Sequence, residues 1–143
     1  MRVTTQGEYG LRCMINIGKN SKDGPVSIQK ISDEEELPRT YVEQLLLKLR
    51  RNQLIKSVRG AKGGYLLARD PSEIDLKEII KALEGKVFEI VCERRAKSKR
   101  KCKYNGRCSL NRVWKELDVS INRVLENIFL SNLIEEEIRN PPA

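Results

Sequence analysis

The feature that most constrains this fold is an amphipathic segment, residues 38–52, followed at once by a short glycine-rich hairpin pattern. Its apolar side chains recur at i, i+3, i+4 and i+7, which predicts a helix with one buried face: Val42, Leu45, Leu46 and Leu49. Residues 54–58 and 65–68 are typical of two strands, joined by the turn Arg59-Gly60-Ala61-Lys62-Gly63-Gly64. The sequence therefore predicts a β-hairpin with a basic tip directly after a helix, the arrangement called a wing.

Further helical segments precede and follow this unit. Residues 5–18 carry apolar side chains at helical spacing, and Ser27 is a suitable N-cap for a second, short helix. Pro38 fits only the first turn of the third helix, and Asp75 with Glu78 forms a capping pair for a fourth. Two helices joined by a tight turn before a hairpin predict a winged helix-turn-helix within a mainly α fold. An ordinary helical hairpin in a core gives a similar pattern up to the wing.

The C-terminal third has a heptad-like apolar pattern. Apolar or aromatic residues are spaced 4, 3, 4, 3 and 4 apart, a 3.5-residue period: Leu110, Trp114, Leu117, Ile121, Val124 and Ile128. We expect one long helix that packs against its symmetry mate in a homodimer, because a small winged domain cannot bury it; folding back on its own chain is the alternative. The expected organisation is a winged helix-turn-helix domain (1–84), a cysteine-containing sensor loop (85–109), a dimerisation helix (110–132) and a frayed tail (133–143).

The composition argues against an enzyme. The chain has no histidine, so a Ser-His or Cys-His nucleophilic site is impossible, and no general acid–base pair stands out. The wing glycines do not match a nucleotide-binding loop, because that loop opens a helix and ends in Gly-Lys-Ser/Thr. Neither an 18-residue apolar run nor a secretory leader is present, so we expect a cytoplasmic protein that does not span a membrane.

Three of the four cysteines fall in one short basic segment. Cys92, Cys102 and Cys108 have the spacing C-x9-C-x5-C, and residues 85–109 carry nine Lys or Arg against two Asp or Glu. Clustered thiols in a cytosolic protein point to metal or redox chemistry, since disulfides are rare there. The short cysteine pairs of structural zinc sites are absent, and cationic neighbours favour the thiolate. An iron–sulfur cluster, zinc and unligated thiols all stay open on spacing alone.

Three stretches resemble the Rrf2 family of bacterial transcription regulators, which includes the IscR and NsrR types. They are Met1-Arg2-Val3-Thr4 with Gly7 and Tyr9, the stretch Tyr41-Val42-Glu43-Gln44-Leu45, and the wing run from Val58 to Leu67. The resemblance covers nearly the whole chain. It implies a homodimeric repressor or activator that reads an imperfect palindrome in double-stranded DNA. It also implies a two-iron or four-iron iron–sulfur cluster on Cys92, Cys102 and Cys108, through which many members sense redox state, nitric oxide or cluster status.

The cysteine segment departs from the family pattern in two respects. The first two cysteines are farther apart than is usual, and Asn111 stands where the IscR type has a histidine three residues after the third cysteine. The fourth ligand is therefore open. Glu8 from the partner subunit is the first candidate, and Cys13 and Asn111 are weaker ones. Some relatives have no cluster and sense a metabolite or an enzyme, so a cluster-free regulator of the same fold is the alternative function.

The predicted DNA-binding residues lie on the third helix, the wing and the N-terminal region. On the outer face of the third helix five side chains would face base edges in the major groove: Arg39, Thr40, Tyr41, Glu43 and Gln44. Arg59 and Lys62 on the wing would contact the backbone or the minor groove. The predicted set also includes Arg2, Thr4, Ser27, Gly60 and Gly63. A basic RNA-binding or scaffold protein is the alternative of another class, although the basic segment lacks the aromatic platforms of single-strand binders.

Overall fold

The computed structural model describes residues 3–89, 92, 102–104 and 107–143. Its helices and strands, in chain order, are α1 (Thr5–Asn20), α2 (Ile28–Glu35), α3 (Arg39–Arg51), β1 (Ile55–Val58), β2 (Gly64–Leu67), α4 (Leu76–Glu84), α5 (Ser109–Glu126) and α6 (Leu130–Arg139). Short 3₁₀ turns lie between α1 and α2, at Ser21–Asp23, and between β2 and α4, at Pro71–Glu73. The predicted fold class, mainly α with a small β-hairpin, is confirmed.

The helix-turn-helix is formed by α2 and α3, and local signals fix both ends of its turn. The Ser27 side chain caps α2 by accepting the Lys30 N–H at 3.1 Å, as expected for an N-cap serine. Glu36 ends α2 in a left-handed conformation with φ 54°, and Leu37 fills the turn as a buried residue. Pro38 directly precedes α3, where its missing N–H costs no hydrogen bond.

A hydrophobic core surrounds α1 and holds α3 against it. The four apolar residues predicted to face inward on α3 are each at most 1 % exposed. Burying a side chain of this size contributes roughly 1.5–3 kcal/mol, so the opposite, polar face of α3 is held toward solvent. The remaining elements supply further fully buried or nearly buried core residues: Met14, Ile17, Ile31, Ile79, Leu83 and Leu130.

The wing is a two-stranded antiparallel hairpin that is tied to the start of α2. Its register runs from Ile55 opposite Leu67 to Val58 opposite Gly64. Beyond this ladder, Val26 and Tyr65 exchange two backbone hydrogen bonds, 2.9 Å from the Val26 N–H and 2.8 Å from the Tyr65 N–H. Since Val26 is the residue before the N-cap of α2, the wing and the helix-turn-helix are joined through the backbone.

The C-terminal region differs from the expectation of one helix at 110–132 and a frayed tail at 133–143. The first helix, α5, ends at Glu126, and a second helix, α6, begins at Leu130. The apolar period of 3.5 residues continues through this break in the sequence, so a local pattern predicts a continuous helix. Contacts with a distant part of the chain end it instead.

Those contacts form a short antiparallel bridge between the residues before α6 and the loop before α4. The Leu76 N–H donates to the Ile128 carbonyl and the Leu130 N–H donates to the Ile74 carbonyl, each at 2.8 Å. Because these backbone groups bond across the bridge, they cannot continue the hydrogen-bond ladder of α5. The end of α5 is thereby fixed beside the start of α4.

The helix α6 is part of the folded domain because its apolar face closes the core. Leu130 is fully buried and Ile134 is 8 % exposed. Glu137, which belongs to the acidic run expected in the tail, pairs with Arg12 of α1 and lies 3.8 Å from Lys19. The apolar contacts and the ion pairs together dock α6 on α1. Within the described residues, no helix combines the length and apolar character needed to cross a membrane.

Candidate nucleic-acid interface and cysteine segment

The outer face of α3 presents four of the five predicted base-reading side chains to solvent. Arg39, Thr40, Glu43 and Gln44 are exposed, on the side opposite the buried stripe. The Arg39 Nε lies 3.4 Å from the Glu43 Oε1, with both side chains about half exposed. An exposed pair of this kind contributes at most about 1 kcal/mol, so it does not prevent Arg39 from reaching another partner.

Tyr41, the fifth predicted base reader, differs from the other four. It is half-buried and packs against the core. Its ring meets that of Tyr9 edge-on, with the centroids 6.0 Å apart and the planes at 90°. Such T-shaped pairs stabilise a contact beyond simple burial. Tyr41 therefore holds the first turn of α3 against α1.

The wing tip carries, in exposed positions, the two residues predicted to contact the DNA backbone or the minor groove. Arg59 and Lys62 are both exposed. Gly60 has a φ of 122°, a conformation that side-chain-bearing residues rarely adopt, and its carbonyl accepts the Gly63 N–H at 3.0 Å. The two glycines thus shape the tight turn that holds Lys62 between them and directly follows Arg59.

A cleft of about 280 Å³ separates the wing from the helix-turn-helix. It brings three predicted DNA-binding residues together, because Ser27, Arg39 and Gly63 all line it. Gln29 and Ser57 line the same cleft and were missed from the sequence. Gln29 is an exposed polar residue just after the capped start of α2, a signal that could have found it. Ser57 could not be placed without the hairpin register.

The predicted N-terminal contacts are only partly described. Arg2 lies outside the described residues. Thr4 is the N-cap of α1: its hydroxyl accepts the Gly7 N–H at 3.4 Å, and its own N–H donates to the Glu84 Oε1 at 3.0 Å. Thr4 is therefore engaged in holding α1. Nothing in the sequence pattern marks Glu84 as its partner, 80 residues away.

The four cysteines divide into one core residue and three in the basic segment. Burial, and to a smaller extent the charge of Glu35, raise the pKa of the Cys13 thiol to about 12. Cys13 is fully buried, so the structure argues against it as a metal ligand. All four thiols lie in the described part of the chain, and none forms a disulfide.

The three segment cysteines, Cys92, Cys102 and Cys108, are half-buried. Cys108 is the N-cap residue of α5, at the positive end of the helix dipole. Glu8 is exposed in the first turn of α1, and Asn111 is half-buried in the first turn of α5. Among the described residues of this one chain, no three Cys, Asp or Glu side chains gather in a metal-binding arrangement. The donors suit a soft, thiolate-bound metal group, but they are not assembled within one subunit.

The helix α5 leaves much of its apolar seam uncovered. It has no buried residue among its 18. Leu110, Trp114, Leu117 and Val124 are between 38 % and 58 % exposed, and Ile121 is half-buried. A row of large apolar side chains at a coiled-coil period on an uncovered helix is typical of an association surface.

The fold and the exposed polar face of α3 define a winged-helix protein of the DNA-binding type. A family model for Rrf2, described as an iron-dependent transcriptional regulator, matches residues 3–136. The chain belongs to this family. The HTH-type transcriptional regulator IscR of Serratia proteamaculans is 36 % identical over 137 residues, which cover 96 % of this chain and 81 % of that protein.

Solved structures of relatives agree with this assignment. The IscR of T. potens is 33 % identical with a TM-score of 0.75, and the match covers 100 % of this chain and 93 % of that one. CymR, the global cysteine regulator of B. subtilis, is 32 % identical with a TM-score of 0.74, over 95 % and 98 %. The chain is therefore a DNA-binding transcriptional regulator and not an enzyme, as predicted, and the RNA-binding or scaffold alternative is set aside.

Proposed function

We propose that the chain acts in the cytoplasm as a homodimer that reads an imperfect palindrome. The exposed face of α3 enters the major groove, and the wing lies along the backbone or the minor groove. The observation that carries this proposal is the cleft between the wing and the helix-turn-helix, because Ser27 and Arg39 line it beside the basic wing turn. Two such heads, related by a two-fold axis, reach major grooves roughly 34 Å apart.

The uncovered seam of α5 supports the homodimer. The helix of 18 residues is roughly 27 Å long, and its bridge to the loop before α4 fixes only its C-terminal end. A second copy of the same helix would cover Leu110, Trp114 and Leu117. Sedimentation tests this directly: we expect a dimer, and we expect Leu117→Arg to convert it to a monomer while Lys115→Ala, an exposed position off the seam, leaves it dimeric.

Loss of the dimer should also weaken DNA binding. Two linked heads bind about 10²- to 10⁴-fold more tightly than one, so Leu117→Arg should lose most of the affinity for a two-half-site duplex. Its affinity for a single half-site should stay close to that of wild type. Trp114, the single tryptophan, reports the association independently through its fluorescence. A wild-type chain that sediments as a stable monomer would contradict the proposal.

We infer further that Cys92, Cys102 and Cys108 bind an iron–sulfur cluster, with Glu8 of a second subunit as the candidate fourth ligand. The description of the family as iron-dependent and the three half-buried thiols, one at a helix N-terminus, support this assignment. A bound cluster would supply a redox-sensitive and nitric-oxide-sensitive group whose presence favours one arrangement of the segment over another. It can shift DNA affinity only by its differential preference for the two arrangements.

A cluster-free regulator that responds to a metabolite or a partner protein is the second candidate. Asn111 in place of the IscR-type histidine favours it, as does the likeness to CymR, which is described as the global cysteine regulator of B. subtilis. Iron and sulfide analysis of anaerobically purified protein separates the two. A cluster predicts visible absorbance that Cys102→Ser abolishes and Cys13→Ala, at a buried core position, retains. Colourless protein that contains zinc, or no metal, would refute the cluster.

A further inference from the structure

Glu84 stands at a position that its own helix disfavours. It is the last residue of α4, where a carboxylate faces the negative end of the helix dipole. The carboxylate instead accepts hydrogen bonds from the start of α1. The N–H groups of Thr4 and Gly7 each donate to its Oε1 at 3.0 Å, and the Thr4 hydroxyl donates to the same oxygen. Glu84 thus caps the positive end of α1 from a helix that is distant in the sequence but adjacent in the fold.

The end of α4 also contacts α3. The carbonyl of Leu83 accepts a hydrogen bond from the Gln6 side chain of α1 and lies 3.5 Å from the Lys48 Nζ of α3. Directly after Glu84 the chain turns at Gly85, with φ 81°, into the segment that carries the three cysteines. The first turn of α1, the body of α3 and the start of the cysteine segment therefore meet at one place.

A short chain of contacts leads from this place to the outer face of α3. Gly7 bonds to Glu84, and Tyr9, two residues further along α1, packs edge-on against Tyr41. Tyr41 lies in the first turn of α3, between the exposed residues Thr40 and Glu43. A displaced first turn of α1 would move Tyr9, and Tyr41 with it.

We propose that Glu84 is a positioning residue for DNA reading. By holding the first turn of α1, it fixes the orientation of the outer face of α3 through the Tyr9–Tyr41 contact, without itself touching DNA. The inference rests on the proposed use of α3 as the reading helix. It assigns to Glu84 a role in discrimination between sequences in addition to its role in stability.

Two substitutions break the contact from opposite sides. Glu84→Ala removes the carboxylate and should lower stability, because α1 loses a cap. Gly7→Ala keeps the carboxylate but displaces it, since a Cβ on Gly7 would lie 2.4 Å from the Glu84 Oε1. The atoms that this Cβ meets, including the Glu84 Cδ at 2.9 Å, are the end of a flexible side chain, and the higher helix propensity of alanine offsets part of the lost cap, so Gly7→Ala should lose less stability than Glu84→Ala. The two variants therefore differ in stability while sharing the lost contact.

The measurement is the ratio of affinities for the duplex that the wild-type chain selects from a random pool and for a random duplex, at one salt concentration. Both variants should lower this ratio by about 2- to 30-fold, the size of a typical long-range coupling. Glu78→Ala is the matched control, because Glu78 caps the start of the same helix and pairs with Arg69 instead of with the first turn of α1. It should lower stability and leave the ratio unchanged.

A double substitution tests the route. If the effect passes through Tyr9, then Tyr9→Leu combined with Glu84→Ala should lower the ratio no further than the stronger single substitution does. Ratios at the wild-type value in both Glu84→Ala and Gly7→Ala would overturn the inference. Gln44→Ala separates this inference from the proposed function. An unchanged ratio in Gln44→Ala would refute the DNA-reading role of α3 itself, whatever the Glu84 variants show.

Discussion

Truncation of Leu130 to alanine tests whether α6 is an integral part of the domain. Leu130 is fully buried at the first position of α6, and its backbone N–H bonds to the Ile74 carbonyl at 2.8 Å. The substitution keeps that backbone bond and removes three buried carbon atoms. Lost burial and the cavity left behind together should cost about 2–5 kcal/mol. For a domain of this size, that is a fall in Tm of roughly 5–15 °C.

The assay is denaturant unfolding at one fixed protein concentration, because the apparent stability of the proposed dimer would depend on concentration. Ile138→Ala is the matched control on the same helix, since Ile138 is 56 % exposed and its loss should change stability by no more than about 0.5 kcal/mol. The reasoning fails if Leu130→Ala is as mild as Ile138→Ala. That result would restore the frayed tail that the sequence pattern suggested.

Three further predictions concern the reading face, the wing and the core thiol. Gln44→Ala should cost about 1–3 kcal/mol of specific binding and relax the preference at one position of each half-site, which selection from a random pool would reveal. Lys62→Ala should weaken binding to all duplexes and flatten the slope of log affinity against log salt by about one unit, whereas Arg139→Ala on α6 should not; an unchanged slope would remove the wing from the interface. Burial raises the pKa of Cys13 from 9.0 to about 12. Because the unfolded chain loses this proton first, the thiol's contribution to stability is fully present below pH 9 and falls by up to about 1.4 kcal/mol per unit above it. Cys13→Ala should therefore flatten the alkaline loss of stability, and equal alkaline slopes in the two proteins would contradict the assigned burial.

Local chemistry explains which elements the sequence predicts well. The Ser27 cap and the Asp75–Glu78 capping pair depend on residues within a few positions of one another, and both are present as expected. Pro38 lies one residue before α3 and not in its first turn. The buried stripe of α3 and the glycine-rich wing turn are equally local. These features position the outer face of α3, so the greater part of the candidate interface was accessible from the sequence.

Features that depend on contacts between distant parts of the chain could not be predicted from the sequence. The break between α5 and α6 is set by hydrogen bonds to the loop before α4, which no periodicity records. Glu84 at the end of α4 caps α1 only because the fold brings the two together. Tyr41 has the sequence position of a base reader, yet its contact with Tyr9 gives it a packing role. Ser57 belongs to the cleft because of the register of the wing.

Selection of duplexes from a random pool by the purified chain tests the central claim most directly. A dimer that presents two α3 helices predicts enrichment of an inverted repeat with half-site centres about one helical turn, roughly 10 base pairs, apart. Gln44→Ala should then weaken the base preference at the same position in both halves of the repeat. Enrichment of no sequence, or of a single half-site without its inverted copy, would contradict the account.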